Sequence, residues 1–161
     1  MKQMLSKSTD EWETPIEYWE KLVPFLDKKK TIIYDPFYMN GASQWKWKQL
    51  GFQCIHPKTD FFYSKIPTDE NIIIISSPPF SKKKRVFEQL MKWDKPFIML
   101  TNSNAFFQLK MQKILKNKVQ LIVPNILLGF INQNGVQTRS APYYLCFICY
   151  KMNLERDIIW V

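Results

Sequence analysis

The segment Ser77-Pro78-Pro79-Phe80 carries the residue types in this 161-residue chain that best suit chemistry on a flat substrate. It follows four consecutive isoleucines, Ile72–Ile75, a run that is typical of a strand buried on both faces of a parallel sheet. Neither proline has an N–H, and each holds the preceding residue extended, so the loop is predicted to be rigid. Such a loop can hold a base between a stacking ring and fixed hydrogen-bond acceptors.

A second polar loop, Asp35-Pro36-Phe37-Tyr38-Met39-Asn40-Gly41, follows the predicted strand Thr31–Tyr34. Ligands of open α/β sheets bind outside the carboxyl ends of the strands, so both loops are candidates to line one site. Other roles fit the same residues, because Asp35 and Asp60 also suit turn capping and Phe37 also suits a core position.

The chain alternates short β-branched or aromatic runs with longer amphipathic ones, which predicts an α/β fold. We expect a mostly parallel sheet with an antiparallel C-terminal hairpin and helices on both faces. Helices are predicted over residues 16–26, after a start at Thr14 and Pro15, and over 42–50, 82–93 and 105–117. Strands are predicted over 31–34, 52–55, 71–75, 96–100, 119–123 and 143–150. Asn134-Gly135 suits a hairpin turn, and 157–161 suits either an edge strand or a docking tail.

Composition narrows the class of protein. With 46% hydrophobic residues the chain is long enough for one core, which predicts a single domain over residues 1–161. A formal charge of +9 together with 16% aromatic residues favours a nucleic-acid partner. Three cysteines, Cys54, Cys146 and Cys149, suit core thiols in a reducing compartment. Since the sequence has no long apolar stretch, we expect a soluble intracellular protein without membrane contact.

Four motifs, taken in order, resemble those of a known family. Ser77-Pro78-Pro79-Phe80 resembles the catalytic motif of DNA and RNA amino-methyltransferases, which is Asp, Asn or Ser followed by Pro-Pro and an aromatic residue. The segment Asp10–Pro15, Asp-Glu-Trp-Glu-Thr-Pro, resembles the one that precedes the cofactor loop in phage and giant-virus N6-adenine methyltransferases. Asp35-Pro36-Phe37 with Asn40-Gly41 resembles that cofactor loop, and Asp60-Phe61-Phe62 resembles the acidic turn that contacts the cofactor adenosine.

The resemblance implies a Rossmann-like methyltransferase fold, S-adenosylmethionine as cofactor, and no separate target-recognition domain. The implied cofactor-binding residues are Thr14, Pro15, Asp35, Phe37, Gly41 and Asp60. Ser77, Pro78, Pro79 and Phe80 are the implied catalytic loop, in which the Ser77 hydroxyl and the Pro78 carbonyl accept N–H groups of the base and Phe80 stacks on it. Direct displacement needs no metal, so no metal site is expected.

Two residues leave the exact activity open. Ser77 is common in cytosine-N4 enzymes, whereas the other motifs are similar to the adenine group, so adenine N6 in DNA is favoured and cytosine N4 is the alternative. Met39 lies where a small residue is expected in the cofactor loop. A catalytically weak or inactive nucleic-acid-binding subunit is therefore the second hypothesis.

Charged residues predict the nucleic-acid contacts. Lys82, Lys83, Lys84 and Arg85 open a predicted helix, where cations are unfavourable unless a phosphate offsets them; an ordinary exposed charge run is the alternative. Arg139 is likewise interpreted either as a phosphate contact or as an ordinary exposed arginine. Lys46 is assigned to the general basic surface. The expected partner is DNA, with RNA as the alternative, and loops, a homo-oligomer or a partner subunit would select the target. A viral protein would act in the host cytoplasm or nucleus.

Overall fold

The computed structural model describes residues 12–161, so Asp10 and Glu11 of the segment Asp10–Pro15 lie outside the described residues. The strands within this range are β1 Ile32–Tyr34, β2 Gln53–Ile55, β3 Ile72–Ser76, β4 Phe97–Asn102, β5 Val119–Val123, β6 Leu145–Tyr150 and β7 Ile158–Trp160. They form one mixed sheet of seven strands within residues 12–161, in the order β2-β1-β3-β4-β6-β5-β7. The predicted α/β class is therefore confirmed.

The sheet has a parallel half and a mixed half. Strands β2, β1, β3 and β4 run parallel, with Ile32 opposite both Gln53 and Ile72. Strand β6 is antiparallel to β4 and β5, and β7 is parallel to β5. The predicted antiparallel C-terminal hairpin is present as β5 and β6, and residues 158–160 form an edge strand rather than a docking tail.

Helices cover both faces of this sheet. The helices of the described residues are α1 Ile16–Glu20, α2 Ala42–Gln49, α3 Lys83–Trp93, α4 Ser103–Phe107 and α5 Leu109–Leu115. Side chains alternate across the sheet along each strand. In β3, Ile73 and Ile75 contact the core cluster that contains α1 and α2, whereas Ile72 and Ile74 belong to the cluster that contains α3 and α5. The isoleucine run is therefore in contact with both layers, as predicted.

Two predicted helices are shorter in the structure. The N-terminal helix ends at Glu20, and a 3-10 turn at Val23–Phe25 follows, because Pro24 cannot donate an N–H inside a helix. The predicted helix 105–117 is divided into α4 and α5 by Gln108, whose backbone is extended. Gln108 is a good helix former, so the break has no local signal.

The polar segment 129–142 contains less regular structure than expected. Its turn at Asn132–Gly135 joins residues that make one isolated antiparallel bridge, Ile131 to Gln137, rather than two strands. A second bridge pairs Ile131 with Glu13, so this segment lies against the N-terminal segment of the described chain. That contact brings the segment to the edge of the site described below.

The described residues also bear on the cysteines and on membrane contact. Cys54, Cys146 and Cys149 are free and buried, as predicted for core thiols. Burial raises the pKa of Cys54 to about 12, which keeps the thiol protonated at neutral pH.

Among residues 12–161, no helix has both the length and the apolar character that crossing a bilayer requires.

Candidate active site

Two loops meet where the winding of the sheet changes direction. Strands β1 and β3 are hydrogen-bonded neighbours, although β2 lies between them in sequence and pairs on the other side of β1. In open α/β sheets, ligands bind outside the carboxyl ends of the strands at such a point. The loop 35–41 follows β1 and the loop 77–80 follows β3. The structure thus brings together the two segments that the sequence singled out.

Asp35 is the buried centre of the first loop, with 3% of its surface exposed. Its Oδ1 accepts hydrogen bonds from the Ser76 hydroxyl at 2.6 Å and from the Phe37 backbone N–H at 3.1 Å. Its Oδ2 accepts one from the Ser43 hydroxyl at 2.5 Å. Ser76 ends β3 and Ser43 lies in the first turn of α2, so one carboxylate joins three elements.

The environment of Asp35 opposes its charge. Burial raises the pKa of the Asp35 carboxyl above its ordinary value, although the neighbouring His56 ring and the three hydrogen bonds act in the opposite direction. The pKa remains raised because desolvation disfavours the charged form more than these contacts favour it. The role visible in the structure is organisation of the loop, and the same side chain lines a narrow cavity.

His56 fastens the loop from behind. Its ring is stacked on Tyr38, with 4.9 Å between ring centroids. Nδ1 lies 2.8 Å from the carbonyl oxygen of Asp35, and Nε2 lies 3.1 Å from that of Tyr38. Each ring nitrogen therefore faces a backbone carbonyl oxygen of the loop, and the Asp35 carboxylate lies 3.9 Å from Nδ1.

The narrow cavity beside Asp35 has a volume of about 40 Å³, and its wall combines polar and charged side chains with the rings of Trp12 and Phe37. An ion pair between Glu13 and Lys46 lies on its wall, with side chains that are 23% and 14% exposed. Asn40 donates to the Glu13 carboxylate at 3.0 Å, and Lys46 Nζ donates to the Thr14 carbonyl at 2.6 Å. The assignment of Lys46 to the general basic surface is therefore wrong, because α2 turns this side chain inward.

A wider cleft lies on the other side of residues 37–39, with a volume of about 390 Å³. Its wall includes the rings of Phe37 and Phe62 together with the carboxylate of Asp60. Asp60 is exposed, and its Oδ1 accepts the Phe62 backbone N–H at 2.8 Å. The capping role considered for Asp60 is thus present. Its Oδ2 has no partner among the described residues.

The adjacent serines Ser76 and Ser77 have different surroundings. Ser76 is buried and donates its hydroxyl to Asp35. Ser77 is half-buried and lines both the narrow cavity and the wide cleft. Within the described part of the chain, the Ser77 hydroxyl has no internal hydrogen bond. It is therefore the serine that can accept a hydrogen bond from a ligand.

An aromatic cavity is lined by Phe80 of the loop Ser77–Phe80 and shares Trp12 with the narrow cavity. Its volume is about 220 Å³, and its wall is almost entirely apolar. The rings that line it come from residues far apart in sequence, namely Trp12, Phe80, Phe130 and Tyr143. Phe80 meets Tyr143 edge to face at 5.6 Å and Phe130 at 6.2 Å between ring centroids. Phe80 thus presents its ring to this cavity, while Ser77 lines the polar side.

The basic run after the loop lies against aromatic rings. The Arg85 guanidinium is 4.2 Å and the Lys82 ammonium 6.0 Å from the Phe62 ring centroid, and Lys83 is 4.8 Å from that of Phe80. Cation–π contacts of this kind offset part of the cost of placing cations at a helix start. Lys84 pairs with Glu88 at 3.4 Å. Lys82 also lines the wide cleft, so this run borders the site.

The remaining predicted residues lie at different depths. Thr14 is buried and lines the narrow cavity, whereas Pro15 is buried at the start of α1. Gly41 precedes α2 with a φ of +80°, a conformation that glycine adopts without a steric penalty. Arg139 is exposed, between two residues that line the aromatic cavity.

Several residues of the site had no predicted role in it. Glu13 and Asn40 lie in motifs that the sequence singled out, whereas the others lie outside those motifs, namely Ser43, Lys46, His56, Ser76, Phe130 and Tyr143. One local signal was available, since Ser43 and Lys46 are three residues apart and share a helix face. No local signal pointed to Phe130 and Tyr143, because their rings contact Phe80 only in the folded chain.

Among residues 12–161, no group of three or more His, Cys, Asp or Glu side chains is placed to hold a metal ion.

A scan against models of protein families finds no match to the chain, and a search of curated proteins finds no significant similarity. Functional assignment therefore rests on the motifs and on the geometry described above.

Proposed function

We propose that the protein is an S-adenosylmethionine-dependent methyltransferase with a Rossmann-like fold that methylates the N6 amino group of adenine in DNA. One observation carries the proposal. The loop Ser77–Phe80 borders three cavities, since Ser77 lines the narrow cavity and the wide cleft whereas Phe80 lines the aromatic cavity, and the narrow and aromatic cavities share Trp12. A methyltransferase needs such an arrangement, because the methyl donor and the base must meet at one loop.

The polar cavities fit the cofactor. The wide cleft offers the Phe37 and Phe62 rings to a flat adenine, and the exposed Asp60 carboxylate can accept hydrogen bonds from ribose hydroxyls. The narrow cavity and the cleft share Phe37, Tyr38, Met39 and Ser77, so both border the same two loops. Asp35 would act chiefly by holding this loop in shape.

The aromatic cavity fits one unpaired base. Cavities of about 150 Å³ accept a benzene ring, and pockets for drug-sized ligands begin at roughly 300 Å³. A volume of about 220 Å³ lies between these limits and suits a base without its sugar. A base in a duplex would have to leave the stack, at a cost of a few kcal/mol.

The catalytic work of the loop is to make an amino group nucleophilic. When bound, S-adenosylmethionine supplies an electrophilic methyl group to the exocyclic nitrogen of the base. The lone pair of that nitrogen is delocalised into the ring, so acceptors aimed at its N–H groups favour the more nucleophilic pyramidal form. The Ser77 hydroxyl and the Pro78 carbonyl would accept these N–H groups, and Phe80 would stack on the base. The proton that is lost passes to solvent.

Charge supports DNA or RNA as the polymer. The chain has 23 Lys and Arg residues against 14 Asp and Glu residues. Lys82 lines the wide cleft, and Arg85 lies against the Phe62 ring on its wall. Both residues closely follow the loop Ser77–Phe80, and we assign them to phosphates of the strand that carries the target base. Each phosphate that they neutralise on duplex DNA should contribute about −0.9 to the slope of log affinity against log salt.

The decisive experiment is transfer of a labelled methyl group from S-adenosylmethionine to DNA and to RNA, followed by nucleoside analysis. We expect N6-methyladenine in DNA. The Ser77→Ala variant should lose about 10- to 100-fold in rate, the effect of one strong hydrogen bond, while it still binds S-adenosylhomocysteine. N4-methylcytosine as product would reassign the target base.

The second hypothesis, an inactive nucleic-acid-binding subunit, is supported by Met39 and by the small volume of the narrow cavity. It predicts salt-dependent DNA binding without cofactor binding and without methyl transfer. Absence of both cofactor binding and transfer in the unmodified protein would therefore overturn the proposed activity in favour of this role.

A further inference from the structure

The ion pair between Glu13 and Lys46 is a feature that the proposed methyl transfer does not by itself require. Both side chains are largely withdrawn from solvent, and removing two charges from water is costly unless each has good partners. Glu13 has Lys46 and Asn40 as partners, and Lys46 has Glu13 and the Thr14 carbonyl. The chain thus holds one anion and one cation side by side on the wall of a cavity.

The position of the pair is fixed from two directions. The Glu13 backbone forms an antiparallel bridge with Ile131, with N···O distances of 2.8 and 2.9 Å. Lys46 lies in α2, whose start is held by the bond from Ser43 to Asp35. The pair is thus held at a defined place on the cavity wall by two separate parts of the fold.

Glu13 keeps its charge at neutral pH. Burial raises the pKa of its carboxyl, but hydrogen bonds from Lys46 and Asn40 and the charge of Lys46 outweigh burial, so the pKa is lowered overall. The cavity therefore presents a carboxylate and an ammonium together. The ligand group that complements both is an α-amino acid, which carries an ammonium and a carboxylate on one carbon.

Resting on the proposed function, we infer that Glu13 and Lys46 bind the amino-acid end of S-adenosylmethionine, with Glu13 contacting the ammonium and Lys46 the carboxylate. A volume of about 40 Å³ holds roughly three water molecules, which is too little for this group. Ligand binding therefore separates Glu13 from Lys46 and replaces their contact with two contacts to the ligand.

Calorimetry with two cofactor analogues tests the inference on the full chain. S-adenosylhomocysteine has the amino-acid end, whereas 5′-methylthioadenosine has the adenosine and sulfur but lacks it. Lys46→Met should lower the affinity for S-adenosylhomocysteine roughly 10- to 100-fold, which is the effect of losing one charge-assisted hydrogen bond. It should change the affinity for 5′-methylthioadenosine less than about twofold. Glu13→Gln should show the same selectivity.

Two further variants serve as controls. Lys48→Met removes the same charge from an exposed position of the same helix and should leave both affinities unchanged. Lys46→Arg keeps the charge and should retain most of the affinity for S-adenosylhomocysteine. Unchanged binding of 5′-methylthioadenosine also shows that each variant is folded.

Other outcomes overturn the inference in distinguishable ways. An equal loss of both analogues in Lys46→Met and Glu13→Gln would show that the pair only supports the fold. No loss of either analogue would show that the pair does not contact the ligand. In both cases the proposed methyl transfer stands. If the unmodified protein binds neither analogue, the proposed function and the inference both fail.

Discussion

On one side of the loop Ser77–Phe80 the protein buries charge, and on the other side it buries rings. The polar side is held by the hydrogen bonds of Asp35, by His56 and by the pair of Glu13 and Lys46. The aromatic side has rings in van der Waals contact and almost no polar atoms on its wall. The polar side should therefore depend on protonation and hydrogen-bond partners, whereas the aromatic side should depend on shape and volume.

The largest effect is expected from Asp35→Ala. This change leaves the buried Ser76 hydroxyl, the half-buried Ser43 hydroxyl and the Phe37 N–H without their acceptor. Each such loss in a buried place costs roughly 1–3 kcal/mol. We expect the free energy of unfolding, measured by urea denaturation, to fall by about 3 kcal/mol. Asp35→Asn keeps the shape of the side chain and one acceptor, and should lose about 1 kcal/mol or less. Equal losses would mean that hydrogen bonding does not set the polar side.

Phe80→Ala examines the aromatic side. Stacking of a base on an aromatic ring contributes about 1–3 kcal/mol, so we expect the second-order rate constant for methyl transfer to DNA to fall about 30-fold, or about 2 kcal/mol. Binding of S-adenosylhomocysteine should stay within about twofold, because this ring lies outside the polar cavities. Phe107→Ala, at a ring that is 68% exposed, is the matched control and should leave the rate unchanged. If Phe80→Ala weakens cofactor binding as much as the rate, the two sides are not separate.

Gly41→Ala should have a smaller effect and one that is specific to the polar side. A left-handed conformation costs an L-residue about 1–2 kcal/mol, and the added Cβ would lie 2.9 Å from the Tyr38 hydroxyl oxygen. Gly135→Ala is the matched control, because Gly135 has a similar φ of +75° and no described atom lies within 4 Å of the Cβ that would be added there. Thermal unfolding should show similar destabilisation of both variants. Only Gly41→Ala should also lower the affinity for S-adenosylhomocysteine. An equal loss of affinity in Gly135→Ala would refute a local effect of Gly41 on the loop 35–41.

The smallest effect is a dependence on pH. Because burial raises the pKa of Asp35 in the folded protein above its ordinary value of 3.8, the folded form holds this proton more tightly than the unfolded chain. The free energy of unfolding therefore falls as pH rises from about 3.8 through the raised pKa, and it stays lower above that range. The amide introduced by Asp35→Asn does not titrate in this pH range. Urea denaturation between about pH 3 and pH 8 should thus show the variant gaining stability relative to the unmodified protein as pH rises, and a constant difference would contradict the raised pKa.

Local signals in the sequence were enough for most elements of the parallel half. The isoleucines of β3 and Gly51, which follows α2 with a φ of +90°, carry their structural preference in their own residue types. The same holds for the break at Pro78 and Pro79. The sequence could therefore place the loops 35–41 and 77–80 after their strands, and it could predict that parallel strands bring them to one edge.

The composition of the site needed the tertiary structure. The sequence assigned Lys46 to the surface, but its partner Glu13 is more than thirty positions away and is held in turn by Ile131. Phe80 meets Phe130 and Tyr143 only because segment 129–142 lies beside the N-terminal segment. Such contacts leave no periodic trace in the chain, because periodicity records which side of one element is buried and not which partner covers it.

By itself, the sequence determined the α/β alternation, the rigid Pro-Pro loop and the order of its motifs, since these depend on residues near one another in the chain. The strand order, the pairing of Glu13 with Lys46 and the ring-lined cavity were decided only by the tertiary structure. The physical reason is that buried charges and packed rings take their energy from the partners that surround them. Those partners are chosen by the whole fold.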